Sequence, residues 1–383
     1  MDKLLRVLPP FAPDYSGSCS ALFELGGMLV INDAAGCTGN YTGFDEPRWY
    51  GSSSAVFSTG LREMDAILGD DKKLINKVIS AAKDLKPEFI ALMGSPVPMV
   101  IGTDTVGIAR ELEAQMKIPV FGFNTCGIAY YDSGVSEAFV KIAEIFLGDK
   151  ADTVKNSINI LGATPLDMGI TGMLQDIRTL LEANGYAVLS SWAMDTEIGL
   201  LKKAVNAEKN LVVSWSGLAL ARYMEKKYNI PYVAGIPVGK ETSKRFIAEL
   251  KEDKKPFFDG EDSSFDNTGG ETLIIGEQIF SNSLREYLRK EMGIEKVQVA
   301  SFFSMEGRFM EKGDFFIRNE EYFEKYMEEH RYENVIGDPL FRQLIPEKAA
   351  SSYFELAHVA VSSRIHWNEC KSLIGSKANQ YFK

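Results

Sequence analysis

The sequence predicts an α/β protein made of Rossmann-like domains with parallel sheets, and three observations carry that prediction. Short runs of Val, Ile, Leu and Phe, bounded by Gly, Pro and Ser, alternate with longer helical patterns. That rhythm is the one expected of parallel strands covered by helices. One such unit recurs. Phe89 to Ser95 reads as a strand ending in small residues, Gly107 to Met116 as a helix, and Ile118-Pro119 leads into a strand at Val120. Asn210 to Gly217, Leu218 to Tyr228 and Ile230-Pro231 repeat that order. A proline at a strand entry removes no ladder hydrogen bond, and repeated βαβ units imply domains built alike. Finally, 383 residues exceed what one core needs and suggest two or three domains.

Composition shifts place the boundaries. The polar stretch Gly148 to Thr153 precedes a strand at Ile158 to Leu161 and closes a first domain, 1–152. A second, 153–255, ends in the charged run Lys251 to Pro256, and Asp259 to Gly270 continues this Gly-rich linker. A third, 256–383, has strands expected at Glu271 to Gly276, Val297 to Ala300, Asn334 to Gly337 and His358 to Val361. It also has a charged helix from Glu320 to His330 and a C-terminal helix around Cys370.

Charge and hydropathy exclude several functions. The net charge of -11 argues against nucleic-acid or anionic-membrane partners. No apolar run approaches the ~20 residues of a membrane span. The first thirteen residues contain three prolines and no signal-peptide pattern, so a cytoplasmic protein is expected. In a reducing compartment its four cysteines point to metal or catalysis rather than disulfides.

Cys19 lies before the helix-like stretch Ala21 to Met28. Cys37 follows the apolar strand Met28 to Ile31, and Cys126 follows another strand. Ligands of open α/β sheets bind at the carboxyl ends of strands. Gly36, Gly39 and Gly127 would let backbone approach a bulky inorganic group. Soft thiolates suit iron–sulfur clusters. Zinc is disfavoured because there are no short paired Cys spacings. Spacing alone leaves three buried, inert cysteines as the competing reading.

These residues resemble nitrogenase component 1, that is, the molybdenum–iron protein subunits and relatives such as the dark-operative protochlorophyllide reductase. Ser16 to Cys19, Asp33 to Cys37, the block Phe57 to Gly69 followed by Lys72 to Leu74, and Ile118 to Cys126 fit the family's elements in order. Weaker likeness extends through Asn159 to Gly162, Ile230 to Tyr232, Gly235 to Gly239, Ile274 to Glu277 and Gly337-Asp338. The resemblance implies three Rossmann-like domains and an iron–sulfur cluster, [4Fe-4S] or [8Fe-7S]-like, at a subunit interface. Cys19, Cys37 and Cys126 would be its ligands. It also implies a homodimer or a heterodimer with a related subunit, an ATP-dependent iron–sulfur reductase as electron donor, and a small-molecule substrate in an interdomain cleft. Glu63 would then be a structural polar anchor.

Two departures matter. No cysteine occurs between Thr153 and Glu369, whereas the subunit carrying the large catalytic cofactor uses a middle-domain cysteine. The chain is also short for a nitrogenase subunit. Dinitrogen reduction is therefore not expected; a reductase of another small molecule, or a scaffold for assembling or transferring a cluster, fits better. A cluster-free ligand-binding module is a third possibility.

Lesser signals read as structure. Gly235 to Thr242 is one residue short of a phosphate loop and is a strand-to-loop junction. Thr103 or Asp104 caps a helix. No dinucleotide fingerprint or nucleophile elbow appears. His330 is expected on a solvated helix face, His358 at a strand edge, and His366 beside an interdomain cleft. Arg48 and Trp49 belong to a surface loop or to the cluster surroundings.

Overall fold

The computed structural model describes residues 5–252 and 271–382. The strands segregate into three wholly parallel sheets, with helices filling the connections. The first contains β1 (Met28–Ile31), β2 (Ala55–Ser58), β3 (Ile90–Met93) and β4 (Val120–Phe123), in the order β2-β1-β3-β4. The second contains β5 (Val154–Leu161), β6 (Ala187–Ser191), β7 (Ala207–Val212) and β8 (Tyr232–Ala234), in the order β6-β5-β7-β8. The third contains β9 (Thr272–Ile275), β10 (Val297–Ser301), β11 (Phe315–Phe316), β12 (Tyr332–Gly337) and β13 (Ala350–Glu355). Its order is β11-β10-β9-β12-β13.

Side-chain alternation explains how the first sheet is covered. Met28, Val30, Ile90, Leu92 and Val120 face a small core closed by Leu74, Ile75 and Val78 of the Asp71–Leu85 helix. Leu29, Ile31, Ala91, Met93, Phe121 and Phe123 face the opposite side and join a core continuous through all three sheets. On that side the Asp14–Leu22 helix lies against the Tyr131–Phe146 helix. Their backbones nearly touch: a Cβ on Gly17 would meet the Tyr131 carbonyl oxygen at 2.0 Å, and one on Gly134 the Asp14 carbonyl oxygen at 1.8 Å. Only glycine permits that approach.

Polar contacts tie the sheet units together. Leu8 N–H donates to Glu320, Ala12 N–H to the Ala360 carbonyl and Ser304 N–H to Asp132. Trp215 N–H donates to Glu277.

The two expected βαβ repeats are present as β3 to β4 and β7 to β8, with helices Thr105–Gln115 and Leu218–Tyr228. Asp104, not Thr103, caps the first of these helices by accepting from Gly107 N–H. Four expectations are corrected. The helix at Cys19 runs from Asp14 to Leu22, so Cys19 lies inside it rather than before it. It starts directly after Pro13, whose missing N–H is harmless at a helix start, and Gly26 and Gly27 prevent a continuation to Met28. His358 to Val361 is not a strand. Asp338 accepts both His358 N–H and Ser362 Oγ–H and curls the segment into the short helix Val359–Ser362. Cys370 lies in an irregular segment, not a helix. Glu63 is exposed, and its neighbour Asp65 makes the polar contacts there, with Arg62 N–H and Lys73. Most of the expected linker, 253–270, lies outside the described residues.

Candidate functional site

Two sites emerge, both at carboxyl ends of parallel strands, where loops diverge at the switch in strand order and leave a crevice.

The first is built by Cys19, Cys37 and Cys126, all free thiols. Cys37 is the second residue of the short helix Gly36–Asn40 beyond β1, and Cys126 begins the turn after β4. Asp14 and Tyr15, one turn before Cys19, connect the three. The Asp14 carboxylate accepts from Cys126 N–H at 2.9 Å and Gly127 N–H at 2.7 Å. A Cβ on Gly127 would meet Pro96 at 2.6 Å and the Tyr15 ring at 3.3 Å, and φ there is +75°. The Tyr15 hydroxyl is within hydrogen-bonding reach of Cys37, and burial, with Cys37, Asp45 and Cys19 nearby, pushes it above the usual tyrosine range. Tyr15 thus sits beside Cys37 and Cys19 and against the turn that carries Cys126.

The environments differ. Cys19 is fully buried, and burial with Glu46 and Asp33 nearby pushes its thiol well up. Cys37 and Cys126 are half-buried. Open space lies in front of Gly36 and Gly39, where an added Cβ would meet nothing within 4 Å. The helix start at Cys37 is not free to receive an anion, because Asp33 accepts from both the N–H and the hydroxyl of Thr38.

Among the described residues no three of His, Cys, Asp and Glu converge as ligands of one metal ion. A cluster distributes its irons and takes one thiolate at each. Three thiols from separate elements, with open space beside the Cys37 glycines, fit that requirement.

Arg48 is buried rather than on a surface loop. It donates to Glu46 (2.7 Å), Glu24 (2.8 Å), the Ala193 carbonyl (2.6 Å) and the Ser20 carbonyl (2.8 Å), and so joins the Cys19 helix to the second sheet unit.

The second site is a crevice between the second and third sheets, with about 580 Å³ of non-atom space when the open solvent at its mouth is counted. Asp167 and Met168 reach it from beyond β5, Val213 from β7, Ile236 from β8, Glu277 from β9 and His358 from β13. Asp167 accepts hydrogen bonds from the hydroxyls of Tyr131 and Thr164 (the latter at 2.7 Å). Glu277 accepts from the N–H groups of Trp215, Ile279 and Phe280. Burial pushes Asp167 up to about 7 and Glu277 up to about 8, and their mutual repulsion acts in the same direction. Burial lowers His358 to about 4, so its ring is neutral at pH 7.

Sequence reasoning missed Asp14, Tyr15, Asp167 and Glu277. The spacing of Thr164 and Asp167, a helix start at which Thr164 Oγ1 accepts from Asp167 N–H and its hydroxyl donates to the Asp167 carboxylate, was a usable signal. His366 does not line the cavity; its Nδ1 pairs with Glu369 at 3.1 Å, and His358 lines the cavity instead. His330 is half-buried and stacks on Tyr326, its own helix neighbour. Cys370 is buried against Gly169 and also lines the cavity.

Three parallel sheets with crevices at the carboxyl ends of their strands define an α/β protein with the fold seen in nitrogenase component 1. Two solved structures titled Nitrogenase Cp1, at pH 5 and at pH 6.5, superpose with TM-scores of 0.67 and 0.71 at 17% and 15% identity. They cover 98% and 99% of this chain, and 88% and 92% of theirs. The chain belongs to the nitrogenase component 1 type oxidoreductase family, whose model matches residues 13–345. Among curated relatives, the nitrogenase iron-molybdenum cofactor biosynthesis protein NifE of Clostridium pasteurianum is 29% identical over 51% of this chain and 42% of its own length. The nitrogenase molybdenum-iron protein alpha chain of Methanosarcina barkeri is 24% identical over 61% of this chain and 43% of its own. The matches thus span less than half of each relative. No helix among the described residues is long and apolar enough to cross a membrane.

Proposed function

We propose that this chain is the iron–sulfur cluster-binding subunit of a nitrogenase-like oxidoreductase, with Cys19, Cys37 and Cys126 as ligands. It would pass electrons from an ATP-dependent iron–sulfur reductase partner to a small molecule in the cleft between the second and third sheets. The division into domains 1–152, 153–255 and 256–383 is part of the same reading. The observation that carries it is the grouping of three free thiols, from three separate elements, around the Asp14-Tyr15 pair. A bound cluster would supply one-electron chemistry; the protein supplies position and a cleft lined largely by apolar side chains.

Three thiolates fall short of the usual four, so a second subunit, identical or related, completes the site. The surface beside the cysteines supports this. Val97, Met99, Val100 and Ile101 follow β3, Ile128 follows Cys126, and all are exposed. Contiguous exposed apolar surface of this kind marks an interface. The reductase partner rests on family membership.

A scaffold for cluster assembly or transfer is the second reading, favoured by the likeness to NifE proteins. The deciding measurement is iron and acid-labile sulfide content with EPR, on anaerobically purified protein and on Cys37→Ser. Iron that stays bound and is reduced by a reductase component supports the enzyme. Iron that moves quantitatively to an apo acceptor protein supports the scaffold. No iron after anaerobic reconstitution sinks both.

A further inference from the structure

The cavity between the second and third sheets has a polar end with an unusual composition. Glu277 is buried there, the Asp167 side chain is 6% exposed, and Asp132 adds to the negative field at Asp167. The buried nitrogens Nδ1 and Nε2 of His358 have no hydrogen-bond partner among the described residues, and neither does Oγ of Ser281, a residue with 0% exposure. The His358 ring is held in place by stacking on Phe303, centroids 5.2 Å apart, and its Nε2 is 4.0 Å from Asp167. Cys370 is pushed up to about 12 by burial, so it is a neutral thiol. Among the described residues the only basic lining residue other than His358 is Lys371, at the exposed rim. The rest of the lining is apolar, including Met168, Met173, Ile236 and Phe280.

The polar end offers two carboxyls, the acceptor nitrogen of the neutral His358 ring and the lone pairs of Ser281 Oγ to a donor-rich ligand. Buried acceptors without donors are costly, and so are buried carboxyls without a counter-charge. An anionic ligand would add to both costs. A metal ion is disfavoured by geometry, since no three candidate ligands converge among the described residues.

We propose that this cavity receives a small molecule carrying a cationic nitrogen, an ammonium or amidinium, on an apolar body. The cation faces Asp167 and Glu277. Its remaining N–H groups donate to His358 and Ser281 Oγ, and the apolar body lies against Met168, Met173, Ile236 and Phe280. This rests on the reading that the cleft is where the small molecule binds, and names its class. The tendency of both carboxyls to hold protons when no cation is present agrees with it.

Three probes of one shape test the proposal: benzamidinium, benzamide and benzoate, titrated by calorimetry at pH 7 into the full chain and into Cys37→Ser. Benzamidinium should bind about tenfold or more tighter than either of the others, the ratio expected from one charge-assisted contact. Ser281→Ala removes an unpartnered hydroxyl and is expected to fold normally; it should weaken benzamidinium severalfold and leave the others unchanged. Benzoate or benzamide binding as tightly as benzamidinium overturns the proposal, as does the absence of saturable benzamidinium binding. Failure here is distinguishable from failure of the cluster reading. A protein that holds iron but shows no cation preference keeps the cluster and loses this proposal. A protein without iron that prefers benzamidinium does the reverse.

Discussion

Asp14 grips the turn that carries Cys126. Its two carboxylate oxygens accept from Cys126 N–H and Gly127 N–H, and Oδ1 also accepts from Tyr15 N–H at 2.8 Å. The grip joins the helix of one cysteine to the loop of another, across 112 residues of sequence. Asp14→Ala leaves both turn N–H groups without their acceptor, which costs about 1–3 kcal/mol. The melting temperature should fall, and iron bound per chain after reconstitution should fall further, because the Cys126 loop loses its position. Asp14→Asn keeps one acceptor oxygen and should lie between. Equal iron content in Asp14→Ala and the parent would show that this contact does not organise the site.

The parts of the molecule that were legible in the sequence are those where one local signal decides. Met28 to Ile31 and Ile90 to Met93 are short apolar runs buried on both faces, and both are strands. The cysteine positions were visible because each sits beside glycine or small residues at the end of such a run. β13, Ala350–Glu355, was missed because this edge strand is polar and half-exposed. His358 to Val361 reads as a strand locally, but Asp338, 20 residues away, turns it into a helix. The cavity was illegible for a related reason. Asp167, Glu277, Ser281 and His358 meet only because two sheets present their carboxyl ends to each other, a juxtaposition that no local pattern encodes.

Arg48→Met should be among the most destabilising single changes in the first sheet unit. The guanidinium is nearly buried, and its partner Glu46 is completely so. Removing the cation leaves Glu46 as an uncompensated buried charge and frees the carbonyls of Ser20 and Ala193. Breaking a buried pair from one side costs about 3–5 kcal/mol. Denaturant unfolding should record a loss of that order. A loss below about 1 kcal/mol would mean the pair behaves as a solvated one.

The apolar surface next to the cysteines predicts an assembly phenotype. Val100 is 77% exposed at the end of the Pro96–Val100 helix, and Pro96 packs on Gly127 beside Cys126. Val100→Glu places a charge in that surface without touching the core. Its fold, read by circular dichroism and melting temperature, should be unchanged. Its mass by light scattering should shift toward the monomer, and its iron content should fall with it. A dimer that persists in Val100→Glu would move the subunit interface elsewhere.

The buried carboxyls fix the direction in which stability depends on pH. Asp167 and Asp45 are both raised from an ordinary 3.8 to about 7, and Glu277 from 4.5 to about 8. For each, the folded chain holds a proton that the unfolded chain has released. Their contribution is therefore complete below about pH 4 and is lost as pH rises through 7 and 8. His358 acts in the opposite sense. Lowered from 6.5 to about 4, it takes up a proton more readily when unfolded, so its contribution is complete above 6.5 and is lost as pH falls toward 4. Between about pH 4.5 and 6.5 the one histidine offsets only one of the three carboxyls, so stability already falls with rising pH there. Above 6.5 only the carboxyls remain, so urea unfolding should show stability falling between pH 6.5 and 8. Asp167→Asn, which cannot ionise, should flatten that decline even if it lowers stability overall. A parent protein whose stability rises across this window would mean that these carboxyls are ionised well below neutral pH. A cationic ligand bound against them should do the same in the parent, which makes the slope itself a readout of occupancy.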